Sequence, residues 1–406
     1  MEIYKKFILA EKKRQNETIC LIASENYASD NVLESLGSCL TNKYAEGYPY
    51  KRYYAGNKVI DDVELWCKKE ALKAFNLSDA DWHVNVQPYS GSPANLAIYL
   101  GLLKPGDRIM GMKLSHGGHL THGHKVSFTG KLFDFGYYGV NQDGLIDYDL
   151  VEKEVLEFKP KLLVVGATAY SRILDFARFR KIADSVGAYL LADISHIAGL
   201  IAAGLHPTCF EDADIVMTTT HKTLRGPRGA VIFCRKKYAE KIDKAVFPGM
   251  QGGPHMNVIL AKGVAFVEAQ KTSFINYQKK VIENATCLAG ELKKNGLKIV
   301  TGGTDNHLFL LDLSDRKYGA RYYQDLLEEV GIVVNRNTIP YDQRSPLDPS
   351  GIRLGTPAVT TRGMGTNEMK KIANWITEVC RLDYDKKNLF TIGKQVMSLT
   401  SKFPIE

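Results

Sequence analysis

Residues 160–193 read PKLLVVGATAYSRILDFARFRKIADSVGAYLLAD, and the pattern of this segment indicates the fold class most clearly. Its apolar run Leu162–Val165 lies between a proline and a glycine, which is typical of a short buried strand. Apolar residues at helical spacing follow from Phe179 to Val186, and Gly187 is a typical helix stop. A second apolar run then begins at Tyr189. A strand, a helix and a strand in this order predict an α/β fold with a largely parallel sheet.

The same alternation continues on both sides of this stretch. A helical pattern covers residues 150–158, and further strand-like runs begin at Ile215 and Ala230. Residues 257–296 have the pattern of long helices joined near Thr272. Apolar runs over 308–313 and 332–334 then predict the strands of a smaller C-terminal domain. We place the domain boundary between residues 272 and 280.

Composition and charge exclude several classes of protein. The 406 residues include 53 Lys and Arg against 45 Asp and Glu, but no block of five basic residues occurs, so a nucleic-acid-binding protein is disfavoured. The seven cysteines are scattered without a C-x-x-C pair, which indicates reduced thiols in a cytoplasmic protein. No run reaches the roughly 18 apolar residues that a membrane span needs, so we expect no membrane association.

Two polar residues terminate neighbouring strands, where parallel sheets place their chemistry. Asp193 ends the run at 189–192, and Lys222 follows the run at 215–220. A partly desolvated lysine can be neutral near pH 7 and form a Schiff base with an aldehyde, whereas a surface loop would leave it inert. A buried aspartate needs a partner, such as the protonated pyridine nitrogen of pyridoxal phosphate, unless it merely caps a loop.

A third segment has the features of a phosphate site. Ser90-Gly91-Ser92-Pro93 precedes an apolar helix, and we expect Ser92 to be its N-cap and Pro93 its first residue. Backbone N–H groups and hydroxyls at a helix start bind phosphate, although an ordinary capped helix has the same pattern. The P-loop and dinucleotide fingerprints are both absent from the sequence.

Three further groups are candidates for binding or acid–base chemistry. The histidines of SHGGHLTHGH at 115–124 lie in a glycine-rich loop, which favours ring stacking by an imidazole over a zinc site. Glu46 lies among tyrosines, where it is either an acid–base group or part of a packed aromatic loop. Arg353 is suited to binding a substrate carboxylate, although a lone arginine is more often a surface residue.

Seven motifs in a fixed order resemble one known family, the serine hydroxymethyltransferases. They are LIASENY at 21–27, LTNKYAEGYP at 40–49, GGHLTHG at 117–123, TTTHKTLRGPRG at 218–229, QGGP at 251–254, GGTDNHL at 302–308 and SGIRLGTP at 350–357. The resemblance runs from about residue 7 to 380. It implies the aspartate-aminotransferase-like fold of pyridoxal-phosphate fold type I. We expect an N-terminal helical arm at 1–30, a large cofactor domain at 31–275 and a small domain at 276–406.

The resemblance also implies a cofactor site. Pyridoxal phosphate would be covalent on Lys222, with Asp193 on its ring nitrogen, His119 stacked on the ring and Thr219 beside the Schiff base. Its other implied contacts are Ser90, Gly91, Ser92, Thr168, His196, His221 and, from a neighbouring subunit, Gly253. No metal is expected.

The implied reaction is the reversible conversion of L-serine and tetrahydrofolate to glycine and 5,10-methylenetetrahydrofolate, through an external aldimine and a Cα carbanion. Cleavage of other 3-hydroxy amino acids is an expected side activity. The resemblance implies substrate contacts at Ser24, Tyr44, Glu46, Tyr54, His196 and Arg353, with Tyr44 and Glu46 arriving from the partner of a homodimer. Its implied folate contacts are Glu46, Tyr53, Leu114, Gly118, His119, Leu120, Asn337, Ser345, Pro346 and Leu347.

Departures from the family pattern are few, and rival functions remain. Tyr50 and Ala55 stand where the family usually has glycine, which puts the path of that loop in question. Ser195 replaces a common alanine, and Thr168 is a common variant of serine. The nearest rival is a folate-free threonine aldolase using the same cofactor. A tetramer and a cofactor-free structural relative are further alternatives.

Overall fold

The apolar runs of the sequence form the strands of one central sheet. The computed structural model describes residues 2–381 and 386–405. In chain order the strands are β1 (Trp82–Asn85), β2 (Arg108–Met112), β3 (Asp134–Tyr138), β4 (Leu162–Val165), β5 (Tyr189–Asp193), β6 (Ile215–Thr219) and β7 (Ala230–Arg235). Their order across the sheet is β1-β7-β6-β5-β4-β2-β3. The four apolar runs predicted as strands between residues 162 and 235 are β4 to β7, and β1 to β3 complete this seven-stranded sheet, which forms the scaffold for the site.

The direction of the strands confirms the largely parallel sheet, with one exception. Strands β2 to β6 are parallel to one another, whereas β7 is antiparallel to both β6 and β1. A parallel connection needs a crossover of about a dozen residues or more, usually a helix. Only the loop at 220–229 separates β6 from β7. The chain therefore turns back on itself there, directly after Lys222.

Both faces of the sheet are buried, as the continuous apolar runs predict. In β4, Leu163 and Val165 belong to one hydrophobic cluster, while Leu162 and Val164 belong to a second cluster on the opposite face. The α-helices of the described residues are Ile3–Glu17, Asp30–Leu36, Lys58–Ala74, Gly91–Leu102, Phe128–Leu132, Tyr148–Phe158, Phe176–Asp184, Ala198–Ala202, Ala239–Lys244, Met256–Ala269, Thr272–Lys294, Ala320–Glu329, Pro357–Thr361, Thr366–Arg381 and Lys386–Thr400. In the described part of the chain, none of them is long and apolar enough to cross a membrane.

A smaller antiparallel sheet follows the second long helix. Its strands are β8 (Lys298–Ile299), β9 (Leu308–Asp312), β10 (Asn335–Asn337) and β11 (Gly351–Gly355), in the order β8-β9-β11-β10. The run at 332–334 forms a strand, Ile332–Val333, but it pairs in parallel with Ile19–Cys20 instead of joining this sheet. The N-terminal segment therefore packs on the C-terminal core.

The domain limits of the sequence analysis stay a prediction. The proposed boundary at 275/276 falls inside helix Thr272–Lys294, whose Phe274 belongs to the core of the large sheet and whose Leu288 belongs to the core of the small one. The predicted joint near Thr272 is confirmed, since one helix ends at Ala269 and the next begins at Thr272.

Candidate active site

The parallel arrangement of β5 and β6 brings their carboxyl ends together. Asp193 is the last residue of β5, and Lys222 lies three residues beyond the end of β6. Both side chains line one cavity. The residues around this cavity are Gly91, His119, His122, Ala167, Thr168, Asp193, Ser195, His196, Met217, Thr219 and Lys222. The structure thus assembles six of the residues predicted for cofactor binding, together with Thr219, which was predicted to lie beside the Schiff base.

The Lys222 amine lies in a desolvated setting. Its Nζ donates a hydrogen bond of 2.9 Å to the Thr219 hydroxyl. Burial lowers the pKa of Lys222 to about 8, although the negative charge of Asp193 opposes that shift. An amine with this pKa is partly neutral near physiological pH and can attack an aldehyde.

Asp193 is held as a carboxylate despite its burial. One of its oxygens accepts hydrogen bonds from Asn95 Nδ2 at 3.0 Å and His122 Nε2 at 3.1 Å, and the other accepts the Ser195 N–H at 3.1 Å. Burial alone would raise the pKa of Asp193, but the donors, His122 first, hold that pKa well below its usual range. The cavity therefore has a fixed negative charge on one wall.

The helix that follows β1 begins beside this cavity. It runs from Gly91 to Leu102 with Ser90 as its N-cap, so the prediction of Ser92 as N-cap is wrong. Ser90 adopts extended backbone, while Gly91 and Ser92 already belong to the first helical turn. A Cβ on Gly91 would lie 2.9 Å from Thr219 Cγ2, so a larger residue would push the helix start away from the Lys222 loop.

Two side chains predicted to hold the phosphate leave polar groups without protein partners among the described residues. The Ser90 side chain makes no capping hydrogen bond, and His221 Nδ1 is buried without an acceptor or donor. Burial lowers the pKa of His221 to about 3, so its ring is neutral and can offer an N–H. Backbone N–H groups at a helix start and a nearby imidazole form a suitable anion site.

Arg353 joins the small sheet to this cavity. It lies on β11, and its guanidinium donates to the Thr168 carbonyl at 2.8 Å, to Ser24 Oγ at 3.3 Å and to Asn335 Oδ1 at 3.2 Å. Burial lowers the pKa of Arg353 to about 10, so the side chain keeps its charge at neutral pH. Ser24 and Arg353, both predicted to bind a carboxylate, are therefore in contact.

His196 lies on the same side of the cavity. Its Nδ1 is 3.2 Å from Nε2 of His307, and the two rings stack. Burial lowers the pKa of both imidazoles, that of His307 to about 3. A neutral His196 can donate or accept a hydrogen bond towards the cavity, according to its tautomer.

A second group of predicted residues is not among those that line the Lys222 cavity. The rings of Tyr44 and Tyr54 are 5.1 Å apart, and Glu46 and Tyr44 closely approach Gly252 and Gly253. Tyr44, Tyr53 and Tyr54 are exposed by 57%, 76% and 48%. These residues form one exposed surface, which we call the tyrosine surface: Tyr44, Glu46, Tyr53, Tyr54 and Gly253.

A buried charge network supports the tyrosine surface. Arg52 donates to Asp61 at 2.8 Å and to Glu64 at 2.7 Å, and it also donates to the carbonyls of Ala45 and Gly47. Tyr50 adopts φ of 64°, a region that favours glycine, and its N–H donates to Asp61. The loop thus keeps a glycine-like backbone at Tyr50.

The residues predicted for folate binding lie on two neighbouring loops. Leu114 and Leu120 are partly exposed on either side of Gly118, whose carbonyl accepts the Thr168 hydroxyl. Asn337 ends β10, and Ser345, Pro346 and Leu347 are exposed on the loop that follows. The rings of His116 and Tyr341 are 4.9 Å apart and join the two loops.

Sequence reasoning missed three polar contributors to the site: Asn95, Thr121 and His122. Asn95 is fully buried in an otherwise apolar helix, and such a polar residue in a core position is the signal that could have revealed it. His122 and Thr121 lie in the predicted histidine loop, but their burial depends on tertiary packing. Over the described ranges, no group of three metal-ligating side chains is present.

Comparisons with known proteins agree with this geometry. A family model described as serine hydroxymethyltransferase matches residues 1–376. The chain is also 53% identical over 397 residues to the serine hydroxymethyltransferase of Desulfotalea psychrophila, a match that covers 98% of this chain and 92% of that protein. Both matches confirm the resemblance drawn from the seven motifs, and neither supports the folate-free aldolase.

Proposed function

The chain belongs to the serine hydroxymethyltransferase family, and we propose that the cavity between Lys222 and Asp193 is its active site. The protein is a pyridoxal-phosphate enzyme of fold type I that converts L-serine and tetrahydrofolate reversibly to glycine and 5,10-methylenetetrahydrofolate. It is a transferase of serine, glycine and one-carbon metabolism. The observation that carries the assignment of the site is the meeting of a lysine of lowered pKa and a buried carboxylate at adjacent strand ends.

The described residues fit pyridoxal phosphate. The unpartnered Nδ1 of His221 and the uncapped helix start at Ser90 suit the phosphate, and Lys222 would hold the aldehyde carbon covalently. Asp193 would keep a proton on the ring nitrogen, and His119 would cover one ring face. When bound, pyridoxal phosphate accepts the electrons left on Cα as the serine Cα–Cβ bond breaks.

The chain's own residues would orient the amino acid. Arg353 and Ser24 would bind its carboxylate, because a guanidinium offers two parallel donors to the two oxygens. His196 would contact the ring oxygen or the carboxylate, and Thr168 would add a further contact. Thr219 would hold the Lys222 amine in position. The loops at 114–120 and 337–347 would bind tetrahydrofolate.

We also propose a homodimer in which the tyrosine surface completes the partner's site. Its exposure within one chain supports this arrangement, since exposed aromatic clusters are typical of interfaces. Glu46 would exchange a proton with the serine hydroxyl, Tyr53 would contact folate, and Tyr54 would assist the transfer of Lys222 to and from the cofactor. Gly253 would contribute to the phosphate site.

A cytoplasmic location is part of the same proposal. All seven cysteines are free, and five of them are buried. Unpaired, scattered thiols are typical of proteins in a reducing compartment. Cleavage of other 3-hydroxy amino acids stays a prediction.

The assignment of the site can be tested by trapping. Borohydride reduction of the pyridoxal-phosphate-loaded protein, followed by peptide mapping, is expected to place the label on Lys222. A Lys222→Ala protein is expected to take up no reducible label and to form no methylenetetrahydrofolate. A label on another lysine in the native protein would overturn the assignment.

A further inference from the structure

Beneath the cavity, five residues form a closed ring of hydrogen bonds that links Asp193 to His119, which takes part through its imidazole and its backbone N–H. The other three residues of the ring are His122, Asn95 and Thr121. Asn95, Thr121 and His122 are exposed by 0%, 4% and 1%. Because the ring is shielded from solvent, each of its protons can be assigned from the donors and acceptors alone.

The assignment begins at His122. The backbone N–H of His119 donates to His122 Nδ1 at 3.3 Å, so this nitrogen bears a lone pair. The proton of His122 is therefore on Nε2, from which it is donated to Asp193.

Asn95 has one possible amide orientation. A carboxylate only accepts hydrogen bonds, so the atom of Asn95 that lies 3.0 Å from Asp193 must be Nδ2. The same nitrogen donates its other hydrogen to Thr121 Oγ1 at 2.9 Å. This leaves the Thr121 hydroxyl hydrogen available for His119.

His119 receives two donors at one nitrogen. Its Nδ1 lies 2.7 Å from the Thr121 hydroxyl and 3.2 Å from the Thr121 N–H. An N–H cannot be directed at a second N–H, so Nδ1 is unprotonated and the proton of His119 is on Nε2. The geometry also favours a neutral ring, since protonation of Nδ1 would displace both donors.

We propose that Thr121 is a positioning residue, which keeps His119 neutral with its proton on Nε2 and joins its ring to the carboxylate of Asp193. This inference rests on the proposed contacts of His119 and Asp193 with pyridoxal phosphate. A neutral imidazole stacks on a protonated pyridine ring without charge repulsion. By keeping His119 neutral, Thr121 would therefore help Asp193 to keep the ring nitrogen protonated.

The charged and titratable groups around His119 agree with this role. The pKa of His119 is lowered to about 4, mainly by burial and also by the neighbouring His122, Lys222 and Arg353, against the opposing effect of Asp193. Thr121 adds a donor to the unprotonated nitrogen, which stabilises the neutral form.

The tautomer can be read directly by long-range ¹H–¹⁵N correlation on the full-length chain labelled with ¹⁵N-histidine, before and after loading with pyridoxal phosphate. We expect His119 to show an unprotonated Nδ1 and a protonated Nε2 throughout the neutral pH range, in both states. A protonated Nδ1, or a titration near the usual histidine pKa of about 6.5, would overturn the proposal. This readout requires no cofactor, so it stands apart from the assignment of the active site.

Substitutions then separate a positioning role from a structural one. Thr121→Val removes the hydroxyl and is expected to raise the pKa of His119 and to weaken cofactor binding roughly 10-fold, whereas Thr121→Ser restores both. Thr377→Val is the matched control, because Thr377 is equally buried, donates to a carbonyl and accepts an asparagine N–H in the small domain. An unchanged His119 pKa in Thr121→Val, or equal effects in Thr377→Val, would contradict the role. If Thr121→Val does not fold, the proposal is still tested by the His119 tautomer of the wild type and by the His119 pKa and cofactor affinity of Thr121→Ser.

Discussion

Lys222 Nζ lies 2.9 Å from the hydroxyl oxygen of Thr219, at the end of the strand that pairs with the strand ending in Asp193. Among the described residues, the uncharged Thr219 hydroxyl is the one side-chain hydrogen-bond partner of the amine. The pKa of Lys222 is therefore governed by burial, which favours the neutral amine, and by the more distant carboxylate of Asp193, which favours the ammonium. The reactivity of Lys222 should depend on both.

The first prediction concerns the pH dependence of cofactor capture. Only the neutral amine attacks an aldehyde, so the rate of covalent pyridoxal-phosphate binding by the cofactor-free protein should rise with pH around a midpoint of about 8. In Asp193→Asn the charge that raises the pKa is lost, and the midpoint should move to lower pH. Stopped-flow absorbance over a pH series measures both. A wild-type midpoint near that of free lysine, about 10.4, would contradict this account.

A second prediction concerns recognition of the substrate carboxylate. Arg353→Lys keeps the charge but loses the two-pronged donor surface, so the KM for serine should rise roughly 10- to 100-fold with a smaller effect on pyridoxal-phosphate affinity. Steady-state kinetics and a cofactor titration separate the two effects. Arg172→Lys is the control, since Arg172 pairs with Asp305 in a similar partly buried setting. Equal KM values for wild type and Arg353→Lys would exclude this role.

The strands and the two central residues could be predicted because short-range patterns encode them. Apolar runs define β4 to β7, Asp193 ends one of these runs, and Lys222 lies three residues after another. The antiparallel direction of β7 depends on the length of the loop before it. The pairing of Ile332–Val333 with Ile19–Cys20 joins residues far apart in sequence, and no local pattern specifies it.

The hydrogen-bonded ring below the cavity was inaccessible to sequence reasoning for a related reason. Asn95 and Thr121 acquire their roles only when the first turns of helix Gly91–Leu102 pack against the histidine loop. The N-cap prediction failed because Ser90 and Ser92 are both good caps, and the choice between them depends on where the backbone leaves β1. Motif resemblance predicted the residues that contact the ligand, whereas the structure was needed to identify the residues that hydrogen-bond to them.

A third prediction tests the shared active site. Glu46→Gln and Lys222→Ala subunits should each be nearly inactive alone, because each variant alters every site. If Glu46 acts on the partner's Lys222, mixing the two variants by unfolding and refolding should restore about a quarter of wild-type activity through hybrid dimers with one intact site.

The control for this mixing experiment is a pair of variants on the same side. Lys222→Ala mixed with Asp193→Asn should restore no activity, because both residues line one cavity of one chain. Light scattering of the same samples gives the oligomeric state. Activity that stays absent in hybrid dimers of Glu46→Gln and Lys222→Ala would place Glu46 at the site of its own chain.

The last prediction concerns Lys262, which lies on helix Met256–Ala269 and is 1% exposed. Its ammonium donates to three backbone carbonyls, those of Val86 at 2.7 Å, Pro88 at 3.0 Å and Ala230 at 2.9 Å. The first two precede the helix start at Ser90, and the third begins β7. Lys262 therefore ties the segment that leads into the proposed phosphate site to the sheet.

Replacement of Lys262 by methionine keeps most of the volume but leaves three buried carbonyls without their donor. A buried polar group that loses its partner costs about 1–3 kcal/mol, so Lys262→Met should lower the free energy of unfolding by about 3 kcal/mol or more. Chemical unfolding measures this loss, and Lys241→Met on an exposed helix face is the control with little expected effect. Gly229→Ala provides an independent check, because a Cβ there would lie 2.4 Å from Lys262 Cε and displace the same side chain. Wild-type stability in both Lys262→Met and Gly229→Ala would show that the ammonium does not stabilise this junction.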